Sequence, residues 1–492
     1  MSEPKASEPG DRAEFSRPPS KMAASEPGRR TRVLVVTYDK IGPRMAGPAI
    51  RSYELARALA REHDVLLACR HEPERDGDGF EVRGYLKDEA VLRKMVEWCD
   101  VVIAFGFLLL ECPDIVELGK VVIADVYDPF TLEVLVQRRD DPLAIQLREH
   151  RGALAAMNEQ LQLADYFLVA SDRQRDLVFG MLAALNRLNP HTYQDDPAFE
   201  RLITVVPFGL PSEPPAAAAP VLRGVHPGFG PDDLVLLWAG GIYEWFDPLS
   251  LIEGIAALDA PDVKVLFMGM DHPNPEVPEM HMGARAVDLA ERLGVRDRSV
   301  FFNEGWVPYD DRVSFLLEAD VGVSTHYRHA ETMYAFRTRM LDYIWAGLPI
   351  LCTEGDTLAE LVEGRDLGEV VPAEDPSAIA RAVERLLDRS RRDVCAAHLA
   401  ELAGELTWET VAAPVVEFCR HPRHAADREG GAIPRTPVES QLHHLYDEAH
   451  EEIHRLRRER EGLLREIDVL SAFRERVQGS LPYRTFQRIR GG

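Results

Sequence analysis

The sequence lacks the features that would mark a disulfide-bonded, zinc-binding or membrane-spanning protein. Its six cysteines lie scattered in apolar runs without a CxxC pair, which predicts reduced core thiols and no zinc or disulfide framework. No apolar run approaches the ~18 residues of a membrane span, and the N-terminus lacks the apolar core of a signal peptide. We therefore expect a cytoplasmic protein.

Positive charge is also scarce. The chain has 57 Lys and Arg residues against 82 Asp and Glu residues, which gives a formal net charge of −25. This balance argues against unaided nucleic-acid binding and against a large basic membrane footprint. A basic tail with Arg484, Arg488 and Arg490 leaves open only a peripheral contact with the inner face of a membrane.

What is present is an alternation of apolar runs, glycine-containing loops and amphipathic helices. This order predicts an α/β fold with two Rossmann-like, doubly wound domains that face a cleft, a common place for a ligand. The helix at 407–419 is expected to close the second domain. The predicted parts are a disordered leader (1–30), an N-terminal Rossmann-like domain (31–212), a C-terminal Rossmann-like domain (213–422), a linker (423–438), a coiled coil (439–478) and a basic tail (479–492).

The coiled-coil prediction rests on a heptad pattern near the C-terminus. About four repeats of apolar residues predict a helical seam that dimerises or folds back on the protein. A homodimer through residues 442–470 is therefore a candidate assembly. The seam residues, seven apart, are Leu442, Ala449, Leu456, Leu463 and Leu470, with Tyr446, Ile453 and Ile467 among the offset positions.

Two short motifs look like metal sites. Residues 450–454 read HEEIH, a formal HExxH zinc motif, but they lie inside the heptad helix and no third ligand follows. Residues 76–78 read DGD, which resembles a DxD motif, but they lie in a polar loop. We expect no metal and no cofactor.

The stretch Glu331–Thr353, ETMYAFRTRMLDYIWAGLPILCT, combines structural and chemical signals. Apolar residues at helical spacing are followed by Gly347, a left-handed helix stop, and by Pro349, before a short run of strand type. The sequence therefore predicts a helix that ends against a buried strand.

Two acids and two arginines gather near the start of this helix: Glu331, Arg337, Arg339 and Asp342. A helix N-terminus attracts anions and arginines strengthen this attraction, so the group predicts a diphosphate site. An acid slightly further along the helix would accept hydrogen bonds from sugar hydroxyls. The alternative is a surface salt-bridge cluster that caps an ordinary helix.

The same stretch resembles a known enzyme family. Residues 342–353, DYIWAGLPILCT, are similar to a motif of the GT-B-fold glycosyltransferases of family 4, and FRTRMLDYIWAGLP resembles a bacterial subgroup of them. The likeness covers residues 32 to about 420. It implies transfer of a sugar from a nucleotide-sugar with retention of anomeric configuration, with an N-terminal acceptor domain, a C-terminal donor domain and no metal.

The resemblance also implies donor-binding residues. Asp342 would contact the ribose, and Gly47, in the loop after the first strand, would approach the donor phosphate and the acceptor. Gly240 and Gly241 would form the turn after the first strand of the second domain. Thr338, between the two arginines, is assigned to the donor site with them.

The chain departs from the family pattern around this motif. Glu331 lies eleven residues before Asp342, where the family spaces its two acids eight apart, and Arg337 replaces the usual glycine. The arginine–lysine pair expected after the Gly240 turn is missing. We infer that Arg337 and Arg339 supply the charge at the leaving phosphate, with Glu331 as the first acid.

The N-terminal domain departs as well. Tyr127 stands where the family has a histidine, with Asp128 beside it. Asp128 is a candidate for orienting a hydroxyl group, and the alternative is a turn residue before Pro129. For the donor site, we expect Arg337→Ala or Asp342→Ala to abolish transfer while the thermal stability stays nearly unchanged.

The expected function is a retaining glycosyltransferase of the hexosyltransferase type. It would move a sugar from a nucleotide-sugar to a glycan or lipid-linked cell-surface precursor in polysaccharide biosynthesis. One alternative is a non-catalytic transferase-like binding or scaffold module, dimerised through the coiled coil. A sugar-nucleotide epimerase of the same fold is another. The Arg-Thr-Arg replacement argues against decay, because a dead site has no reason to restore positive charge.

Overall fold

The computed structural model of the chain describes residues 29–428, with gaps at 113, 217–218, 271, 275–279 and 304, and residues 437–479. The predicted leader up to residue 28 and the basic tail from residue 480 lie outside the described residues. The chain divides into two units, Met1–Gly431 and Ala432–Gly492.

Seven parallel strands form the first sheet of unit 1, in the order β3-β2-β1-β4-β5-β6-β7. The central strands are buried along nearly their whole length because helices cover both faces of the sheet. The strand order reverses between β1 and β4, where doubly wound sheets leave a crevice for ligands. The strands are β1 (Arg32–Thr37), β2 (Asp64–Cys69), β3 (Glu81–Gly84), β4 (Val101–Ala104), β5 (Val121–Asp125), β6 (Tyr166–Val169) and β7 (Ile203–Val205).

The helices of this first half begin where the sequence offers caps. Asp88 accepts hydrogen bonds from the amides of Ala90 and Val91, and Ser171 accepts one from the amide of Gln174. The helices are α1 (Gly47–Ala60), α2 (Glu89–Trp98), α3 (Leu108–Glu111), α4 (Asp114–Glu117), α5 (Phe130–Gln137), α6 (Leu143–Leu163), α7 (Asp172–Ala184) and α8 (Pro190–Asp195).

Six parallel strands form the second sheet, in the order β10-β9-β8-β11-β12-β13, which again reverses beside its first strand. The strands are β8 (Leu234–Trp238), β9 (Val263–Phe267), β10 (Val300–Phe302), β11 (Val321–Ser324), β12 (Ile350–Thr353) and β13 (Gly368–Val371). Its helices are α9 (Pro248–Leu258), α10 (Met282–Arg292), α11 (Arg312–Glu318), α12 (Ala330–Tyr334), α13 (Arg339–Ala346), α14 (Thr357–Gly364), α15 (Pro376–Leu386) and α16 (Arg389–Ala403).

After the second sheet the chain returns to the first half through α17 (Trp408–Val411) and α18 (Ala413–Arg420). Val415, Phe418 and Cys419 are buried with residues of the first sheet, and the Phe418 ring stacks on Tyr166 at 4.3 Å. The α18 part of the predicted helix thus packs on the first sheet, whereas Trp408 and Val411 of α17 are buried with residues of the second half.

Hydrogen bonds join the two halves beside the cleft. The side-chain amide of Gln174, which is buried, donates to the carbonyl of Tyr127 at 2.5 Å and to the carbonyl of Tyr334 at 2.7 Å. The indole of Trp306 donates to the carbonyl of Met45, and the amide of Tyr309 donates to the carbonyl of Pro43. Both sheets therefore belong to unit 1.

Unit 2 contains α19 (Pro437–Gly479), a helix of 43 residues. Several of its large apolar side chains are exposed, among them Leu456 at 49% and Leu463 at 55%. The heptad region is therefore helical, as predicted. None of the helices in the described ranges is both long and apolar enough to cross a membrane.

The predicted α/β fold with two parallel, doubly wound sheets is confirmed. Two edge strands, β3 and β13, were not predicted from the sequence. Their partly exposed residues, such as Glu81 and Glu369, carry charge instead of the continuous apolar run that marks a central strand.

Candidate functional site

A cavity of about 440 Å³ lies between the two halves, at the carboxyl ends of strands from both sheets. Its walls are rich in aromatic side chains and also carry acids and arginines. The lining includes Met45, Gly47, Tyr127, Asp128, Glu133 and Phe208 from the first half, and Gly240, Gly241, Tyr243, Arg337, Thr338, Arg339 and Asp342 from the second half.

Helix α13 presents its N-terminus to this cavity because its other side is fixed to the second sheet. The buried hydroxyl of Tyr343 lies 2.9 Å and 2.8 Å from the carbonyls of Leu237 and Val323, at the ends of β8 and β11. A Cβ atom on Gly322 would lie 2.2 Å from the Tyr343 ring, so that ring needs a glycine beside it. Gly347 ends the helix with a φ of 69°, as predicted.

Arg337 is held from behind by acids. Its guanidinium donates to both carboxylate oxygens of Glu331, at 2.8 Å and 2.7 Å, and lies 3.8 Å from Asp356. Burial lowers the pKa of Arg337, but the Glu331 carboxylate outweighs this effect and the net shift is upward. The side chain of Glu331 has no exposed surface. This bidentate pair fixes the guanidinium while part of Arg337 lines the cavity.

Arg339 is buried differently, because no described carboxylate forms an ion pair with it. Its guanidinium lies 4.5 Å from the ring of Trp238 and 4.0 Å from that of Phe246, and it donates one hydrogen bond to the carbonyl of Gly241 at 2.8 Å. One of its terminal nitrogens, Nη1, has no hydrogen-bond partner among the described residues. Burial lowers the pKa of Arg339 to about 10. The cavity wall thus holds a cation that lacks an anion.

Asp342 lies in the first turn of α13 and also lines the cavity. Its carboxylate accepts a hydrogen bond from Nε of Arg312 at 3.1 Å and remains 27% exposed. Arg312 in turn lies over the Tyr309 ring at 3.7 Å. Asp342 therefore has a fixed orientation and free acceptor positions toward the cavity.

Asp128 faces the arginines from the first half, and it is paired with a second acid that sequence reasoning missed. Glu133, in the first turn of α5, shares a hydrogen bond with Asp128, and both line the cavity. Burial raises the pKa of Asp128 to about 6, and burial together with the Asp128 charge raises that of Glu133 much further. Near neutral pH, Glu133 therefore holds the proton and donates it to the Asp128 carboxylate.

The glycine loops lie where the motif predicted them. Gly47 is the first residue of α1, and a Cβ atom there would lie 3.9 Å from the Thr338 hydroxyl, across the cleft. Gly240 has a φ of 110°, a backbone conformation that favours glycine. Gly241 follows it and orients Arg339 through its carbonyl.

The cavity brings together all but one of the predicted site residues. Arg337, Thr338, Arg339 and Asp342 line it with Gly240 and Gly241, and Gly47 and Asp128 line the opposite wall. Glu331 lies behind Arg337 and is not a lining residue. A sequence signal for Glu133 existed: it lies one helical turn after the Asp-Pro that begins α5, on the same side as Asp128.

The contacts also change the expectation about stability. Glu331 and Asp356 are both buried beside Arg337, so removal of its charge leaves acids without a counter-charge. The Arg337→Ala variant is therefore expected to be less stable than the wild-type protein. Asp342 is partly exposed, so the Asp342→Ala variant is still expected to have nearly the thermal stability of the wild-type protein.

Neither metal-like motif gathers a set of ligands in the described ranges. Within those ranges there is no group of three or more His, Cys, Asp or Glu side chains that could hold a metal ion. Residues 450–454 lie within α19, and residues 76–78 lie in the loop between β2 and β3.

The second half matches a known protein family. Residues 233–389 match the family described as glycosyl transferases group 1, and the match extends from just before β8 to the first residue of α16. The second half is therefore similar to this glycosyltransferase family. None of the curated proteins compared with this sequence matches it.

Solved structures with a similar fold extend over both halves. A sucrose-phosphate synthase from Thermosynechococcus elongatus is 18% identical, with a TM-score of 0.57, over 80% of this chain and 98% of that protein. WaaG, a glycosyltransferase involved in lipopolysaccharide biosynthesis, is 16% identical, with a TM-score of 0.56, over 79% of this chain and 100% of that protein.

Anabaena HepE, solved with UDP and glucose, is 14% identical, with a TM-score of 0.55, over 80% of this chain and 100% of that protein. At these identities the similarity establishes the fold. The chain has the GT-B fold, and this part of the prediction is confirmed.

Proposed function

We propose that this GT-B protein is a retaining glycosyltransferase of the family 4 type, which transfers a sugar from a nucleotide-sugar to a glycan or lipid-linked acceptor. One observation carries the proposal. Arg339 is 8% exposed, lines the cavity and has no acidic partner among the described residues. A buried cation without a counter-ion is unfavourable in the free protein, so its value must come from an anion that enters the cavity.

The surroundings of Arg339 favour a diphosphate over a single carboxylate. Arg337, two residues before Arg339, adds a second guanidinium to the same wall of the cavity. Arginine forks suit phosphate oxygens, and because Glu331 neutralises Arg337, the net positive charge offered to a pyrophosphate comes from Arg339. The bidentate Glu331 contact keeps Arg337 aligned for this role, so we assign Glu331 as a positioning residue.

Asp342 fits the ribose of the donor. It lies in the first turn of α13, three residues after Arg339, and its carboxylate keeps free acceptor positions beside the cavity. A sugar hydroxyl is a suitable donor for those positions. The Gly240–Gly241 turn lets the backbone approach the donor closely, and Thr338 and Gly47 lie beside the same space.

The chemistry then follows from the charges. When the bond between the sugar and the diphosphate breaks, negative charge develops on the phosphate and the anomeric carbon becomes oxocarbenium-like. Arg337 and Arg339 stabilise that phosphate from the second-half wall of the cavity. In a retaining reaction the acceptor approaches on the face that the phosphate leaves, so the departing phosphate takes up the acceptor proton. Asp128 orients a hydroxyl group from the opposite wall.

The fold neighbours support a nucleotide-sugar donor. HepE was solved with UDP-glucose and with UDP, and WaaG acts in lipopolysaccharide biosynthesis. We extend this chemistry to the present cavity because its size suits a nucleotide-sugar and its cations suit a diphosphate. A cytoplasmic location, with peripheral contact at the inner face of a membrane, would place it beside a lipid-linked acceptor.

Donor hydrolysis tests the proposal and separates it from the alternatives. Full-length protein is incubated with UDP-, GDP- and TDP-sugars, and the release of nucleoside diphosphate is measured. A transferase releases the diphosphate slowly by transfer to water, an epimerase changes the sugar instead, and a binding module binds without a product.

Arg339→Met is the diagnostic variant and Arg298→Met, an exposed arginine in the same half, is its matched control. Arg339→Met should release nucleoside diphosphate at least about a hundredfold more slowly than the wild-type protein, which is the usual effect of removing one contact to developing charge. The control should behave like the wild-type protein. If Arg339→Met released nucleoside diphosphate at the wild-type rate, the assignment of Arg339 to the donor site would be wrong.

We also propose that the protein is a homodimer through residues 442–470. The described helix α19 exposes a series of apolar side chains at heptad positions, including Ile453, Leu456, Leu463 and Leu470. A second copy of the same helix buries this seam by knobs-into-holes packing. Light scattering on full-length protein should give the mass of a dimer, and Leu456→Glu with Leu463→Glu should give that of a monomer. Arg458→Glu, off the seam, is the control.

A further inference from the structure

The acidic pair on the first-half wall has a role that the diphosphate site does not explain. Asp128 and Glu133 share one hydrogen bond and line the cavity opposite the arginines. Glu331 and Arg337 from the second half, and Asp125 from the first half, act on this pair electrostatically. Because Glu331 and Arg337 neutralise each other, the pair presents about one net negative charge to the cavity.

A neighbouring hydroxyl points to a ligand at the same place. Tyr127 is 8% exposed and lines the cavity, and its hydroxyl has no hydrogen-bond partner among the described residues. Its ring is fixed by stacking on Phe105 at 5.1 Å and by the guanidinium of Arg51 at 4.6 Å. An unpaired buried hydroxyl is unfavourable, so a polar ligand group that reaches it would complete its bonding.

The position of the pair indicates which part of the substrate it meets. If the proposed function holds, the diphosphate lies against Arg337 and Arg339 on the second-half wall. The first group beyond the diphosphate is the transferred sugar. Asp128 and Glu133 line the opposite wall of the same cavity, so they face that sugar from the other side.

We propose that Asp128 and Glu133, together with the Tyr127 hydroxyl, bind hydroxyl groups of the transferred sugar and select an uncharged sugar over one that carries a carboxylate. The inference rests on the proposed function and deepens it. A carboxylate that already accepts one hydrogen bond still has acceptor positions for sugar hydroxyls, and the tyrosine hydroxyl can donate or accept. The same negative charge repels a uronic acid, because two carboxylates in one cavity destabilise each other.

Matched donors and neutral variants test this inference. The nucleoside diphosphate, its glucose conjugate and its glucuronic acid conjugate are titrated calorimetrically into full-length protein, and donor hydrolysis is measured in parallel. The wild-type protein should bind and hydrolyse the glucose donor at least tenfold better than the glucuronic acid donor. Asp128→Asn should reduce that preference to less than threefold, while the affinity for the nucleoside diphosphate changes less than twofold.

Glu133→Gln separates charge from packing. The amide replaces the protonated carboxyl as a hydrogen-bond donor and leaves the Asp128 charge in place, so the preference for the glucose donor should persist. Asp140→Asn, an exposed acid just after α5, is the control and should match the wild-type protein in every measurement.

The outcomes are distinguishable. If the nucleoside diphosphate binds but the two donors are used equally by the wild-type protein, the inference is overturned and the proposed function stands. Unchanged preference in a folded Asp128→Asn variant overturns it as well. If no nucleoside diphosphate binds, the proposed function fails and takes the inference with it. Should Asp128→Asn not fold, the preference of the wild-type protein decides.

Discussion

Arg337 and Arg339 are both buried and lie two residues apart, yet the loss of each guanidinium should change the stability of the protein by a different amount. The test is a pair of substitutions, Arg337→Met and Arg339→Met, each of which keeps a long apolar side chain and removes the guanidinium. Both variants should lose nucleoside diphosphate binding. Only one should lose much stability, because only Arg337 neutralises buried acids.

The magnitude for Arg339 follows from its surroundings. A pKa lowered from 12.5 to about 10 means that burial penalises the charged form by about 3 kcal/mol. The contacts with Trp238 and Phe246 offset part of this penalty, at roughly 1–2 kcal/mol for a desolvated cation over a ring. Methionine fills much of the same space and needs no counter-charge. We therefore expect the free energy of unfolding of Arg339→Met to lie within about 2 kcal/mol of the wild-type value.

The magnitude for Arg337 is larger because its partners stay behind. Glu331 has no exposed surface and would remain as a buried carboxylate without its cation. Breaking a buried ion pair in this way costs about 3–5 kcal/mol. For a unit of roughly 400 residues, with an unfolding entropy of about 2 cal/mol/K per residue, this corresponds to a fall in Tm of about 5 °C.

Two measurements read out the contrast. Thermal unfolding of the free proteins gives the stability order, with Arg298→Met as the exposed control. The scans are then repeated with nucleoside diphosphate at about 100 times its dissociation constant. The ligand should stabilise the wild-type protein by about 2.7 kcal/mol and should stabilise neither variant. The reasoning is refuted if Arg339→Met melts lower than Arg337→Met, or if Arg339→Met keeps the ligand-induced shift.

Three further predictions concern the same cleft. Asp342→Asn should weaken nucleoside diphosphate binding by about ten- to a hundredfold in calorimetry, since a hydrogen bond to a charged group contributes roughly 1.5–3 kcal/mol. Unchanged affinity would contradict the ribose assignment. The rate of donor hydrolysis should fall as the pH drops through about 6. The reason is that protonation of Asp128, which lies beside Glu133 and Arg337, removes the negative charge on the first-half wall of the cavity. A rate that stays constant from pH 7 to pH 5 would contradict this prediction. Gly322→Ala should lower Tm by several degrees, because its Cβ atom would lie 2.2 Å from a buried tyrosine ring.

The sequence was sufficient for the parts of the fold that depend on local patterns. Continuous apolar runs located the central strands, and Gly347 marked the end of α13. The position of α18 was not predictable in this way. Its apolar face, with Phe418, fits either sheet by pattern alone, and only the complementary surface beside Tyr166 decides between them.

For the site, the motif located the arginines but not what neutralises them. Arg337 and Arg339 look equivalent in sequence, and only tertiary contacts give Glu331 to one and aromatic rings to the other. Glu133 escaped attention because it belongs to no motif. Its spacing after Pro129 was visible in the sequence, but its burial beside Asp128 comes from tertiary contacts, which spacing does not reveal.

The return of α17 and α18 to the first half means that the polypeptide passes between the two lobes twice. It also means that the lobes do not correspond to two continuous pieces of gene. A fragment cut before Trp408 would lack Phe418, which fills part of the N-terminal lobe, and expressed alone it would expose the apolar surface around Tyr166.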